Sequence, residues 1–193
     1  MIEYDPEFAK MLDWEEIPMR REIIRWLGNL GFSNGTLYDP MCSTGGFLET
    51  VYSAFPEAQF YGSDISEPMV QYAQNNLAGK DNITIFQRDA NGGLPDNIPN
   101  GTIDVLIFRG LNEVVLTRDI AKAIFTNHIP LLRKGSIVIL SGMTDVILYS
   151  QFFRENGFRV LNMVNYSEEM IERVPRRKGF YQFYVLVYEG NED

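Results

Sequence analysis

Cysteine is almost absent from this chain of 193 residues, with Cys42 alone. That excludes an internal disulfide and any cysteine-based zinc cluster, and it suits a reducing compartment. Histidine is as scarce, with His128 alone. Positive charge is in deficit: 17 Lys and Arg against 26 Asp and Glu leave a net −9. Polyanions are held by Lys and Arg, so this balance argues against nucleic acid as a partner, despite the local run Arg176-Arg177-Lys178. No apolar run reaches membrane-spanning length. The start, MIEYDPEFAK, lacks the basic-then-apolar pattern of a secretory signal. These absences point to a soluble, cytoplasmic protein with no membrane partner. Oligomeric state leaves no trace in the sequence.

What is present is an ordinary globular mixture, 45% hydrophobic and 22% charged, long enough for one domain with a full core. Residues 6–30 read as one helix, with Ile17, Ile23, Ile24, Leu27 and Leu30 spaced for a buried stripe and Gly31 placed to stop it. Strands and helices then alternate. Strands are expected at 36–39, 59–63, 83–87, 103–108 and 136–141, and helices at 45–54, 67–77, 118–132 and 146–155. Segments 158–164 and 181–188 close the chain as an antiparallel strand pair. Alternation of this kind implies right-handed crossovers and a mostly parallel, doubly wound α/β sheet with helices on both faces. The expected organisation is a helical lid or cap over residues 1–30 on a single Rossmann-like domain, 31–193. Tyr4, Phe8, Trp14 and Met19 are candidates for the lid's inner face, with Arg20 or Arg21 in reach of a carboxylate.

Open sheets of this class bind ligands at the carboxyl ends of their strands. Asp39, Asp64, Asp89 and the run Phe108–Glu113 fall there. The loop after the first strand, LYDPMCSTGGFLE, is not a phosphate loop. No Gly-Lys-Ser/Thr follows it, and no lysine occurs between Lys10 and Lys80. The Gly-x-Gly-x-x-Gly dinucleotide spacing is missing as well, which argues against a nicotinamide-dependent oxidoreductase. A carboxylate at Asp64 can accept both hydroxyls of a ribose. A carboxylate at Asp89, beside the amide of Ala90, can read the amine edge of adenine. Acids at strand ends also cap helices, and Asp64 has that option with Ser66 and Glu67 behind it.

This array resembles the class I S-adenosylmethionine-dependent methyltransferases. Asp39 to Gly45 resembles their first motif, acid-x-Gly-x-Gly-x-Gly. YGSDIS resembles the second, QRDA the third, IDVLIFRG the fourth and RKGSIVILSG the fifth-strand segment. The resemblance implies a seven-stranded sheet whose last strand is antiparallel. It implies S-adenosylmethionine as cofactor, with S-adenosylhomocysteine as product. The implied cofactor-binding residues are Asp39, Pro40, Met41, Cys42, Thr44, Gly45, Asp64, Ile65, Met69, Asp89, Ala90, Phe108, Arg109 and Gly110. Backbone amides near Thr44–Gly46 would meet the methionine carboxylate and Asp39 its amine. Met41 and Ser43 stand where the family has glycine, which would weaken the grip on the cofactor. The loop also resembles that of adenine-specific DNA methyltransferases, but the chain has no Pro-Pro anywhere, and those enzymes carry one after the fourth strand.

Methyl transfer from a sulfonium is an in-line displacement, so the protein's main work is alignment and exclusion of water. The expected acceptor is a small molecule methylated on N or O, since little chain lies beyond the core domain. Arg109, Asn112 and Glu113 are the candidate catalytic residues: Arg109 to bind a substrate anion, Glu113 to orient an amine or take a proton. His128 is expected at the far end of its helix, surface-exposed or partly packed and outside the chemistry. Cys42 reads as a packing residue and Asp104 as structural. Asp104 and Asp145 alone are too few for a metal site, so no metal is expected. The alternative is a methyltransferase-like protein that binds the cofactor or a partner without methyl transfer.

Overall fold

The structure, a computed structural model, describes residues 5–13, 16–109, 111, 117–143, 148–166 and 181–190. Its strands form a seven-stranded sheet in the order β3-β2-β1-β4-β5-β7-β6. They are β1 (Thr36–Asp39), β2 (Gln59–Asp64), β3 (Ile83–Gln87), β4 (Ile103–Phe108), β5 (Leu132–Met143), β6 (Phe158–Tyr166) and β7 (Tyr181–Tyr188). The helices are α1 (Pro6–Asp13), α2 (Ile17–Asn29), α3 (Gly46–Ala54), α4 (Glu67–Asn76), α5 (Arg118–His128) and α6 (Ser150–Glu155). The chain divides into two compact units, Met1–Ala90 and Asn91–Asp193.

In the first unit, β1, β2 and β3 run parallel, with Asp39 paired to Gly62 and Asp64 to Gln87. Their carboxyl ends therefore lie at one edge. The segment expected as one helix over 6–30 is two, α1 and α2, and Pro18 sits in the first turn of the second. Proline belongs there because its missing N–H is not needed in a first turn. As expected, the helix stops before Gly31, which takes a left-handed φ of 82°. The buried stripe of α2 differs from the expected one. It is Arg20, Ile23 and Leu27, while Ile17 is 41% exposed and Ile24 and Leu30 are half-buried. The spacing of three and four is kept, but an arginine occupies the first inward position and its stem packs like an aliphatic chain. α1 packs on α3 and α4, with Lys10 Nζ 4.8 Å from the centre of the Tyr72 ring. Of the lid candidates, Met19 is half-buried, whereas Tyr4, Trp14 and the Phe8 side chain lie outside the described residues.

In the second unit β4 and β5 are parallel, and β7 lies antiparallel between β5 and β6. The terminal antiparallel pair is as expected. β5 begins at Leu132 rather than Ser136 because Arg133–Gly135 form a bulge and not a loop: the register shifts between Ile103 and Val105. Ser136 Oγ accepts from Arg133 N at 3.0 Å and donates to Ile103 O at 2.6 Å, which ties the bulge to β4. α5 ends at His128 rather than 132, and a 3-10 turn over Ile129–Leu131 carries Pro130. α6 starts at Ser150, with Tyr149 extended before it. Phe125 of α5 centres the apolar core here. Its ring lies 5.7 Å from Phe108, 5.3 Å from Phe153 and 5.1 Å from Phe158. Aromatic edges and faces at such separations pack favourably. No described helix is long and apolar enough to cross a membrane.

Candidate functional site

β1 ends in Asp39, fully buried, and the chain turns at once into the loop of residues 40–45. Asp39 Oδ1 accepts from Met41 N at 3.2 Å, a side-chain turn two residues long. A tighter turn follows: Gly45 N donates to Cys42 O at 3.0 Å. This places Ser43 second in a four-residue turn, with a φ of 52°. A positive φ at that position marks the mirror-image turn classes, which favour glycine. Among the described residues Ser43 is the only non-glycine with positive φ.

The end of β2 holds the loop in place. Ser63 O accepts from Cys42 N at 2.8 Å, and Ser63 Oγ donates to Pro40 O at 3.3 Å. Beneath them Tyr38 and Ser63 share a hydroxyl–hydroxyl bond of 2.8 Å. Burial pushes the Tyr38 phenol far above its ordinary range, so it stays a neutral donor or acceptor. Asp64 does two things with its carboxylate. Oδ2 accepts from Ser43 N at 2.9 Å, and Oδ1 accepts from Ser66 N at 2.9 Å. The second bond is a side-chain turn two residues long ahead of α4, not a cap on the helix's own first amides; the first is a tie to the loop that the sequence does not suggest.

Two glycines make the site compact. Gly45 caps α3 in a left-handed conformation, φ 77°. A Cβ there would come within 2.8 Å of Leu77 Cδ1 and 3.2 Å of Ala73 Cβ, so α4 closes against this corner. Gly62 lies under the loop, where a Cβ would meet Leu48 Cδ1 at 2.6 Å, Ile85 Cδ1 at 2.7 Å and Cys42 Cβ at 3.1 Å. The first intrahelical bond of α3 runs from Glu49 N to Gly45 O, so the amides ahead of it face the loop end of the helix. That end carries the positive pole of the helix dipole.

The other expected residues divide by position. Thr44 is buried, and so is Cys42, as its reading as a packing residue requires. Met69 is buried in α4, its Sδ 4.0 Å from Ser43 Oγ. Ile65 stands 65% exposed beside Asp64. Asp89 is exposed just past the end of β3, and Ala90 after it is buried. Arg20 is buried on α2 and bonds Glu16 Oε2 at 3.3 Å, while Arg21 is exposed. In the second unit Phe108 ends β4, buried, and Arg109 follows it half-buried. Gly142 makes room for that turn, since a Cβ on it would lie 2.8 Å from Arg109 O. Gly110, Asn112, Glu113, Asp145 and Arg176–Lys178 lie outside the described residues. Asp104 pairs with Arg133 across β4 and β5, a structural role. Among the described residues no group of three His, Cys, Asp or Glu is placed to hold a metal ion.

His128 departs from its expected exposure. It is fully buried, its ring edge-on to Phe108 at 5.6 Å, with Nδ1 2.7 Å from Ile124 O. The reason is visible in the spacing: Ala121, Ile124, Phe125 and His128 form the inward stripe of α5. Tyr38 and Ser63 are supporting residues that sequence reasoning missed. Their only signal was a hydroxyl on each of two otherwise buried strand ends.

Comparison with known proteins bears on the family and the fold. A family model described as a methyltransferase domain matches residues 38–135, just over half the chain. Isonocardicin synthase of Nocardia uniformis subsp. tsuyamanensis is 30% identical over 184 residues, which is 95% of this chain and 56% of that protein. The chain thus spans little more than half the length of this relative. A SAM dependent methyltransferase from Aquifex aeolicus superposes with a TM-score of 0.68 at 16% identity, covering 96% of this chain and 100% of that one. Magnesium protoporphyrin IX methyltransferase from Synechocystis PCC 6803, solved with bound SAM, superposes with a TM-score of 0.66 at 20% identity, covering 98% and 86%. At such identities the superpositions speak for the fold.

Proposed function

Since the chain belongs to the class I S-adenosylmethionine-dependent methyltransferase family, we propose that it transfers a methyl group from that cofactor to an N or O atom of a small-molecule acceptor. The observation that carries this reading is the loop 40–45, pinned by Ser63 and Asp64 at the start of α3. It is compact, rich in backbone amides, without a lysine and set against a helix N-terminus. Such a cradle suits a single carboxylate better than a triphosphate.

The residues fit the cofactor part by part. The loop and the first turn of α3 would take the methionine carboxylate, with Asp39 toward its amine. Asp64 would accept from the ribose hydroxyls. A carboxylate offers about four acceptor positions, so two backbone amides do not exhaust it. Ile65, exposed beside Asp64, offers an apolar surface for the adenine, and Asp89 with the Ala90 amide would read its amine edge. S-adenosylmethionine supplies an activated methyl on a sulfonium. The protein's share is to align the acceptor, exclude water and, where the acceptor must lose a proton, hold it. Arg109, Asn112 and Glu113 are the residues we propose for acceptor binding and proton handling. His128 is assigned no step, because it is buried in the packing of α5.

Calorimetric titration with S-adenosylmethionine and S-adenosylhomocysteine, with NAD as control, tests the cofactor half. Binding of the first two and not of NAD is expected. Mass analysis of the nucleoside product after incubation with an acceptor panel tests the reaction: S-adenosylhomocysteine supports methyl transfer. Two observations favour a second reading, a cofactor-binding protein that does not transfer methyl. Ser43 keeps a glycine-type conformation without glycine. The relative at 30% identity is also named as a synthase, for a product rather than for a methylation. A nucleoside product other than S-adenosylhomocysteine, or bound cofactor that never turns over, would establish that reading instead.

A further inference from the structure

We propose that Asp64 is a positioning residue for the methionine end of the cofactor site as well as an acceptor at its ribose end, so that one carboxylate couples the two. The proposal rests on the reading of the site given above. A residue at the end of β2 that only read ribose would have no need to touch the loop after β1. Here Asp64 Oδ2 accepts from Ser43 N at 2.9 Å, across twenty-one residues of chain. Ser43 is the place in that loop that most needs support. It carries a φ of 52°, which an L-residue adopts at a cost and a glycine adopts freely. A bond from its own amide to a charged acceptor is among the stronger hydrogen bonds available. The other oxygen is anchored by Ser66 N at 2.9 Å, at the start of α4. The carboxylate therefore cannot swing away without losing a second amide.

The neighbouring bonds do not replace this one. Ser63 O holds Cys42 N and Ser63 Oγ holds Pro40 O, both earlier in the loop. Gly45 N returns to Cys42 O and closes the turn locally. The Asp64 bond alone among these reaches the residue whose conformation aims the following amides, Thr44 to Gly46, toward a bound carboxylate. Where a glycine would leave the turn free to relax, the serine with its acid partner preorganises it.

Two adenosine ligands separate the roles. S-adenosylhomocysteine carries the amino-acid end; 5′-methylthioadenosine has the same adenosine without it. If Asp64 reads ribose only, Asp64→Asn and Asp64→Ala weaken both ligands by the same factor. If Asp64 also sets the loop, the loss for S-adenosylhomocysteine exceeds that for methylthioadenosine by about tenfold or more, most in the alanine variant. Equal losses overturn the proposal. Amide exchange of the unliganded protein is the second measurement. The Ser43 amide is expected to exchange at least about tenfold faster in Asp64→Asn, while core amides of β4 hold their rates; an unchanged Ser43 amide overturns the proposal. Wild-type protein that binds neither ligand would sink the methyltransferase reading, and amide exchange would then decide the loop clamp by itself.

Discussion

The hydroxyls of Tyr38 and Ser63 lie 2.8 Å apart under the candidate cofactor loop, joining the ends of β1 and β2 from below. Tyr38 is fully buried, and its ring stacks on Phe86 of β3 at 6.1 Å. Tyr38→Phe keeps the ring and removes the bond. It is expected to cost about 0.5–1.5 kcal/mol at neutral pH. Burial raises the phenol's pKa in the folded protein. The folded state therefore keeps the proton that the unfolded chain releases above pH ~10. The stability held below that pH is lost as pH rises through it, by at most ~1.4 kcal/mol per pH unit for this group. Urea unfolding from pH 8 to pH 11 checks both points. The wild type should fall more steeply than Tyr38→Phe above pH ~10, and parallel profiles would refute the assignment.

Gly62 and Gly28 make a contrasting pair. A Cβ at Gly62 meets the buried Leu48 and Ile85 from two sides and the Cβ of Cys42 in the loop. Overpacking of this kind costs about 1–3 kcal/mol. In a protein of this size that lowers Tm by roughly 2–4 °C per kcal/mol. Gly28 lies in α2 with nothing within 4 Å of its would-be Cβ. Gly28→Ala should therefore raise stability by about 0.5–1 kcal/mol through the unfolded chain. Thermal melts of the two variants should move in opposite directions. Gly62→Ala should also weaken cofactor binding, because the strain is passed to the loop through Cys42.

The sequence made the succession of strands and helices, the parallel core and the antiparallel ending legible, because the elements follow from local periodicity and their directions from the connections between them. The bounds of β1, β3, β4 and β7 match expectation. Errors arose where a local signal had two physical meanings. Arg133-Lys134-Gly135 looks like a loop and is a bulge, since Ser136 ties it to Ile103 O. Residues 6–30 keep helical spacing throughout, yet Pro18 starts a second helix. In the site, Asp39 and Asp64 were legible because acids at strand ends are few. Their partners were not: the Ser43–Asp64 bond joins residues far apart in sequence, and only the register of β1 on β2 brings them together.

His128 shows the same ambiguity, and its burial yields a further expectation. A lone histidine invites a catalytic role, but this ring fills the space between α5 and Phe108. His128→Ala should open a cavity and lose about 2–4 kcal/mol. Whatever methyl transfer the folded protein shows should keep its kcat at a temperature well below the lowered Tm. A kcat falling by orders of magnitude in the folded variant would return His128 to the chemistry.

The resemblance to the family's first motif sets both Met41 and Ser43 at glycine positions, yet the backbone treats them differently. Ser43 has a φ of 52° and Met41 does not have a positive φ. Restoring glycine should therefore act with opposite sign at the two places. At Ser43 it removes a left-handed penalty of ~1–2 kcal/mol, offset by ~0.5–1 kcal/mol of added freedom in the unfolded chain, so Ser43→Gly should be neutral to slightly stabilising. At Met41 there is no penalty to relieve. Met41→Gly adds the same freedom and deletes a half-buried side chain, so it should destabilise by ~1 kcal/mol or more. Chemical denaturation of the two single variants decides the matter. Destabilisation of similar size in both would mean that Ser43 bears no strain, and that its bond to Asp64 holds a conformation the loop would adopt without help.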